Sequence, residues 1–286
     1  MCVQRRLSSA KAPASRSPQS TRIASRENHW LKTFRAVLHS SRPEGGFIGL
    51  EGSRLVLEAI RSGLEIEAIL ASDSAERHLG SLHAELDRPT LILRTTDKLF
   101  ASVAATETPQ GIAALLRPRE FSFESLMSGA DPLVLVLVGV QDPGNVGTIL
   151  RSAEALGASG IIATRGTAHP YSPKSLRASA GSALRLPILS ELAAPIVLAQ
   201  LRVSGLKIFA ASSSENSAAR RPDEINFRVP AAVLIGNEGA GLSLEIERSA
   251  DALIRIQVAE PVDSLNAAVA ASLILYEAAR QRRATK

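Results

Sequence analysis

A single cysteine, Cys2, occurs among the 286 residues. One thiol cannot build an internal disulfide framework, and its scarcity fits a reducing compartment, the cytoplasm. Five scattered histidines and one cysteine show no metal-ligand spacing, so no metal site is expected. Aromatic residues are also sparse, at 3%, which leaves charge and hydrogen bonds, rather than stacking, for any contact with nucleic acid. No apolar run reaches the ~18 residues of a membrane span, so no membrane partner is expected.

The length is comfortable for two domains, and the 45% hydrophobic content is ordinary for a globular chain. The net charge of +5 is unevenly placed. Residues 1–30 hold six basic residues (Arg5, Arg6, Lys11, Arg16, Arg22, Arg26) and one acid, Glu27. Taken from totals of 33 and 28, these leave 27 of each sign, so the rest of the chain is formally neutral. Residues 1–26 are rich in Ser, Arg, Ala and Pro without a hydrophobic period, which predicts a disordered basic arm over 1–29. A solvated tail, an RNA-attracting arm and an organelle transit peptide all fit that composition.

A compact α/β domain is expected over 30–117. Its signals are a strand at Phe47–Leu50, a turn at Glu51-Gly52 and a helix at 53–62 with apolar Leu55, Val56, Ala59 and Ile60. Further strands are expected at 66–70, 90–94 and 111–116. The polar, proline-containing stretch that follows reads as a linker over 118–130. From 131 to 286, short apolar runs alternate with helical segments: LVLVLV (133–138), GIIAT (160–164), KIFAA (207–211), AAVLIG (231–236) and LIRIQV (253–258). Continuous apolarity marks strands covered on both faces of a parallel sheet, so the fold class is open α/β. Ligands of such sheets bind beyond the carboxyl ends of the strands.

Three segments occupy such positions. GVQDPGNVG, from Gly139, follows the first strand of this domain and opens a helix with Val146, Ile149, Leu150, Ala153 and Leu156 on one stripe, ended by Gly157. It has neither the G-x-G-x-x-G spacing of a dinucleotide loop nor a P-loop lysine, which disfavours a nicotinamide-dependent oxidoreductase. Read as a plain strand-to-helix turn, it has Asn145 as the cap and Arg151 on a solvated face. GNEGAGLS (236–243) has three glycines that permit close backbone approach to a ligand. Its acid, Glu238, argues for a cationic or neutral ligand rather than phosphate. In the third segment, 256–279, Asp263 or Ser264 can cap a helix that is apolar on nearly every side from 267 to 275. Such a helix is buried in a core or a subunit interface. Ser264 and Asn266 are polar groups at its expected buried start.

These segments, in this order, resemble the SpoU (TrmH-like) family of RNA ribose 2′-O-methyltransferases of the SPOUT superfamily. Asn145 and Arg151 match its Asn-x5-Arg motif, Gly236–Leu242 its Gly-Asn-Glu-x-x-Gly-Leu, and Ser264–Asn266 its Ser-Leu-Asn. FIGLEGSRLV (47–56) and TETPQGIAAL (106–115) look like the family's ribosomal-protein-like substrate-binding domain. The resemblance spans about 30–280. It implies a parallel-sheet SPOUT domain with a trefoil knot, S-adenosyl-L-methionine as cofactor, a homodimer, and RNA as substrate. Ribosomal RNA is favoured because the separate N-terminal domain resembles those of rRNA-directed members.

By the same resemblance, Gly236, Gly241, Ile256 and Leu265 hold the donor, while Asn145, Arg151, Glu238, Ser264 and Asn266 form the catalytic set. Arg151 meets the target nucleotide with Asn145 fixing it. A guanidinium stays protonated near neutrality, so Arg151 is expected to pair a phosphate and polarise the hydroxyl rather than act as a base. Lys174, Arg177 and Arg185 form a phosphate-reading patch or, alternatively, a solvated helix face. One departure stands out. Gln257 and Glu260 replace the proline and glycine of the family's Ile-Pro-Met-x-Gly, so an altered donor geometry is expected there. A non-catalytic RNA-binding member is the alternative that this departure supports.

Overall fold

The structure, a computed structural model, describes residues 20–213 and 218–283. Its first domain begins earlier than expected. Ser20–Arg22 form strand β1, paired in parallel with β4 (Leu91–Thr95). Ile23 beyond it is only 2% exposed, and Arg22 bonds Asp73 through both guanidinium nitrogens at 3.0 Å. The disordered arm expected over 1–29 is thus overturned from Ser20 onward. Ile23 enters the apolar core between Arg22 and Arg26, and composition averaged over a window hides such a residue. Residues 1–19 lie outside the described residues.

Helix α1 (His29–His39) is capped by Asn28, whose side chain accepts from the Trp30 amide, and buries Leu31, Phe34, Val37 and Leu38. Then follow β2 (Ile48–Glu51), α2 (Ser53–Arg61), β3 (Ile66–Ser72), α3 (Glu76–His83), α4 (Asp97–Ala101) and β5 (Ile112–Leu116). The five strands make one mixed sheet in the order β1-β4-β3-β5-β2, with β5 antiparallel to both neighbours. The expected linker is not a free connection. Within it, α5 (Phe123–Leu126) buries Leu126 completely in the apolar cluster on one face of the second sheet.

The second domain has six parallel strands: β6 (Leu133–Leu137), β7 (Gly160–Thr164), β8 (Ile188–Leu192), β9 (Lys207–Ala211), β10 (Ala231–Ile235) and β11 (Ala252–Ile254). Their order is β11-β9-β10-β6-β7-β8. It is consistent with the knotted path that the resemblance implies. Helices α6 (Pro143–Ala155), α7 (Pro173–Ser179), α8 (Ala194–Val203), α9 (Leu244–Arg248) and α10 (Ala267–Arg283) connect or cover the strands. Alternate residues of β6 enter different apolar clusters. Leu133, Leu135 and Leu137 join the side of α6 and α10, while Val134 and Val136 join the side of α5 and α8. Each such side chain stabilises the fold by ~1.5–3 kcal/mol.

Three local readings change. The expected strand over 253–258 stops at Ile254, and β8 is an additional strand. The caps also move. Asp142, not Asn145, caps α6 by accepting from Gly144 N at 2.6 Å, with Pro143 at the first helical position. Asn266, not Asp263 or Ser264, accepts from Ala268 N and Val269 N at the start of α10.

The domains share a core. Leu50, Leu55 and Val56 belong to the same cluster as Leu176, Ala183 and Leu184. Arg185 ties them further, bonding Glu154 at 2.6 and 2.8 Å and Glu58 of the first domain at 2.7 Å.

Candidate donor and RNA site

The strand order reverses between β6 and β10, because β7 and β8 lie on one side and β9 and β11 on the other. Loops leaving the carboxyl ends of two such neighbours diverge and leave a crevice. Here the two loops are pinned to each other. Asn237 Nδ2 donates to Gly139 O at 2.8 Å, and Glu238 accepts from Gln141 N at 3.1 Å and Asp142 N at 3.2 Å. Glycine is required at Gly236, since a Cβ there would lie 2.5 Å from the carbonyl carbon of Gly241.

The third segment joins through amides. Asn145 Nδ2 donates to Glu238 at 2.9 Å, and Asn266 Nδ2 donates to Asn145 Oδ1 at 3.0 Å. One side chain from each motif therefore forms a continuous relay, Asn266 to Asn145 to Glu238. Burial pushes the Glu238 carboxyl up, but the bonds from Asn145 and the loop amides outweigh it and hold it below the usual carboxylate range. The acid in the glycine loop is thus explained by its own chain, not by the charge of a ligand.

A cleft opens beside this relay. It is lined by Gly236, Gly241, Ile256 and Leu265, as well as Glu238 and Ser264. Apolar Ile235, Ile256 and Leu265 suit the faces of a purine, and the glycine backbone offers hydrogen-bonding edges. These residues fit an adenosine-bearing donor. Gln257 and Glu260 do not line the cleft, whereas Ile256 and Val258 do. Ser264 is exposed, so the expectation of a buried start to the last helix is corrected. No cluster of His, Cys, Asp and Glu suited to a metal occurs among the described residues.

Arg151 stands apart from the cleft. Asn145 and Arg151 share α6, but six residues carry the chain ~9 Å along the axis. Arg151 is exposed and faces a cavity between the domains, together with Arg177. That helix is set by Gly147, where a Cβ would lie 2.5 Å from Ser175 O of α7. Lys174 pairs with Asp142 at 2.9 Å while 59% exposed, and this pairing is the main cause of the lowered Asp142 pKa. Arg185 is not a free phosphate reader, because the carboxylates of Glu154 and Glu58 hold it between the domains. Its spacing from Lys174 and Arg177 could not show that, since Glu58 is distant in sequence. Sequence reasoning also missed Arg54 and Gln110, which line the interdomain cavity. Both lie inside the quoted FIGLEGSRLV and TETPQGIAAL segments, the only signal that could have found them.

An open parallel α/β domain with a glycine-loop cleft at its switch point, joined to a smaller mixed domain, is the architecture of a protein that binds a nucleotide-bearing ligand. The family model of the SpoU rRNA Methylase family matches residues 132–276, and that of the MRM3-like substrate binding domain matches 38–114. The chain belongs to the SpoU rRNA methylase family. It is 30% identical to the 23S rRNA (guanosine(2553)-2′-O)-methyltransferase RlmP of Bacillus subtilis, over 89% of this chain and 97% of that protein. It is 32% identical to the 23S rRNA (uridine(2479)-2′-O)-methyltransferase of Streptomyces viridochromogenes, over 96% of each. Among solved structures, an AdoMet-bound rRNA methyltransferase from Sinorhizobium meliloti aligns with a TM-score of 0.81 and 30% identity, covering 92% of this chain and 98% of that one. S-adenosyl-L-methionine is accordingly the cofactor.

Proposed function

We propose that this chain transfers the methyl group of S-adenosylmethionine to a ribose 2′-hydroxyl of ribosomal RNA, acting as a homodimer in the cytoplasm. The relay from Asn266 through Asn145 to Glu238, beside the cleft, carries this reading. It ties the three motif loops into one rigid wall. Bound in the cleft, S-adenosylmethionine supplies an electrophilic methyl on a sulfonium.

The chain's own residues hold and expose the reacting oxygen. The backbone at Gly236, Gly241, Ile256 and Leu265 grips the donor, and Ser264 orients it or the ribose. Arg151 pairs a phosphate of the target and polarises its hydroxyl. The hydroxyl oxygen would take the methyl that the sulfonium supplies, and its proton would leave to water. Glu238 is a positioning residue, since three hydrogen bonds already occupy its carboxylate. Asn145 is one too, with both ends of its amide engaged. Arg151 lies outside the lining of its own chain's cleft. A two-fold assembly can close that separation, because the exposed apolar stripe of α10 lies beside the cleft, with Ala270 in its wall.

The similarity to 23S rRNA methyltransferases supports ribosomal RNA as substrate. The non-catalytic alternative rested on Gln257 and Glu260, and neither residue lines the cleft. No helix among the described residues is long and apolar enough to cross a membrane. The test is to incubate the protein with methyl-labelled S-adenosylmethionine and unmodified ribosomal RNA, then map alkali-resistant linkages. Label at one ribose is expected. Label on a base, or none in any RNA, would overturn the reading.

A further inference from the structure

The glycine loop that walls the donor cleft is shaped from within by Asn237. Its Oδ1 accepts from Gly239 N and Ala240 N, both at 2.9 Å. Its Nδ2 donates to Gly139 O at 2.8 Å, which ties the loop to the end of β6. Asn237, Gly239 and Gly241 all line the cleft. The wall therefore sits where Gly139 is held.

A buried hydroxyl holds Gly139. The residue leaves β6 with φ +69°, a left-handed conformation open to glycine, and its N–H donates to Thr167 Oγ1 at 3.0 Å. Thr167 Oγ1 in turn donates to Leu137 O at 2.9 Å. A carbonyl only accepts, so both directions are fixed. The single hydroxyl proton points at Leu137 O, and a lone pair faces the Gly139 amide. Thr167 is 6% exposed, which keeps bulk water from competing for either bond. Thr164 supplies the contrast. It is 2% exposed and donates to the same Leu137 O at 3.1 Å, but its partners are the carbonyls of Leu137 and Arg165, not the Gly139 amide.

We infer that Thr167 is a positioning residue for S-adenosylmethionine. Through Gly139 and Asn237 its hydroxyl fixes the glycine loop in the shape that grips the donor. Neither Thr167 nor Gly139 lines the cleft, so the effect is indirect. This role rests on the donor-cleft reading above and is independent of which RNA is methylated.

The test is the binding of S-adenosylmethionine to the full chain without RNA, measured by calorimetry. Thr167→Val keeps the side-chain shape and removes both bonds. It should raise the Kd about tenfold, the effect of leaving a loop-fixing amide unpaired. Methyl transfer at saturating donor should stay within about twofold of wild type, because the loop still closes once the donor is bound. Thr167→Ser keeps the hydroxyl and should bind as the wild type does. Thr164→Val removes a buried hydroxyl from the same carbonyl, so it should lower the Tm about as much as Thr167→Val and leave the Kd unchanged. Thr167→Ala, which sets no methyl against the two polar groups, gives the same reading should the valine variant fail to fold. An unchanged Kd in a folded Thr167→Val or Thr167→Ala would overturn the proposal. So would an equal loss of affinity in Thr164→Val, or in Thr167→Ser, since either reduces Thr167 to a packing role. The expected pattern of donor affinities with no label in any RNA would keep this role for Thr167 and sink methyl transfer alone.

Discussion

Replacing Arg185 by methionine tests whether the two domains are held by a charge clamp or whether this arginine serves RNA. Its guanidinium makes two bonds to Glu154, at 2.6 and 2.8 Å, and one to Glu58, at 2.7 Å. All three side chains are only about a third exposed, at 35%, 31% and 30%. A fully exposed pair is worth ~0.2–1 kcal/mol, and breaking a fully buried one costs ~3–5 kcal/mol. The half-buried triad should fall between, at roughly 2 kcal/mol, because Glu58 and Glu154 regain some water once the arginine is gone. For a chain of 286 residues that corresponds to a Tm lowered by about 3 °C. The pH dependence gives a second readout. The bond from Arg185 is the main cause holding the Glu154 carboxyl below its ordinary value. The clamp's contribution is therefore complete above the unfolded carboxyl pKa of ~4.3, and it is lost as pH falls through the lowered value. Melting curves of wild type and Arg185→Met should converge in acid. Unchanged melting at neutral pH, with RNA affinity reduced, would refute the clamp and restore Arg185 to the phosphate patch.

Arg151→Ala should reduce methyl transfer to below a tenth of wild type with S-adenosylmethionine affinity unchanged, since Arg151 is exposed and lines only the interdomain cavity. Equilibrium binding and single-turnover assays check the two halves. Truncation of residues 1–19 removes four cations (Arg5, Arg6, Lys11, Arg16) and no acid. It should weaken RNA binding and flatten its salt dependence, whereas cutting back to residue 26 would also strip β1 from the first sheet. Burial pushes the His169 imidazole below its ordinary pKa, so the folded chain holds it neutral. The stability tied to this is present above ~6.5 and lost as pH falls through the folded value. His169→Asn should therefore shrink the drop in Tm between pH 7 and pH 5, as read by calorimetry.

The parallel sheet was legible because β6, β7 and β10 are uninterrupted apolar runs, and only a strand buried on both faces has that composition. β8 was not legible, since ILSEL is mixed and four of its five residues are only partly buried. Its place comes from pairing with β7, which no local pattern encodes. The donor loops could be located from glycine content and position after strands, and the structure brings Gly236, Gly241, Ile256 and Leu265 together. The relay could not be read. Asn145 and Asn266 are 121 residues apart, and each side chain alone reads as a helix cap. Arg185 failed for the same reason in reverse. A cation on a helix-rich segment looks solvated until the fold brings Glu58 to it from 127 residues away. Residues whose role depends on a tertiary partner were thus the ones misassigned.

The helix expected to form a subunit interface runs from Ala267 to Arg283 and divides into two faces. Ala267, Ala268, Ala271, Ile274, Leu275 and Ala278 are buried in the chain's own core. Val269, Leu273 and Tyr276 are 48%, 43% and 61% exposed, and their spacing puts them on a single stripe. An apolar stripe next to the donor cleft is what a two-fold partner would cover. Leu273→Glu separates this account from one in which the stripe simply faces water. In a monomer the new carboxylate stays hydrated, so the variant should fold with little change in stability. In a dimer two carboxylates, one per protomer, would be buried against apolar neighbours, at a cost of several kcal/mol. The variant should therefore sediment as a folded monomer, and its methyl transfer should fall with the loss of the partner. A wild-type chain that is monomeric at micromolar concentration and fully active would refute this. So would a dimeric Leu273→Glu protein of unchanged affinity, which would place the interface on another surface.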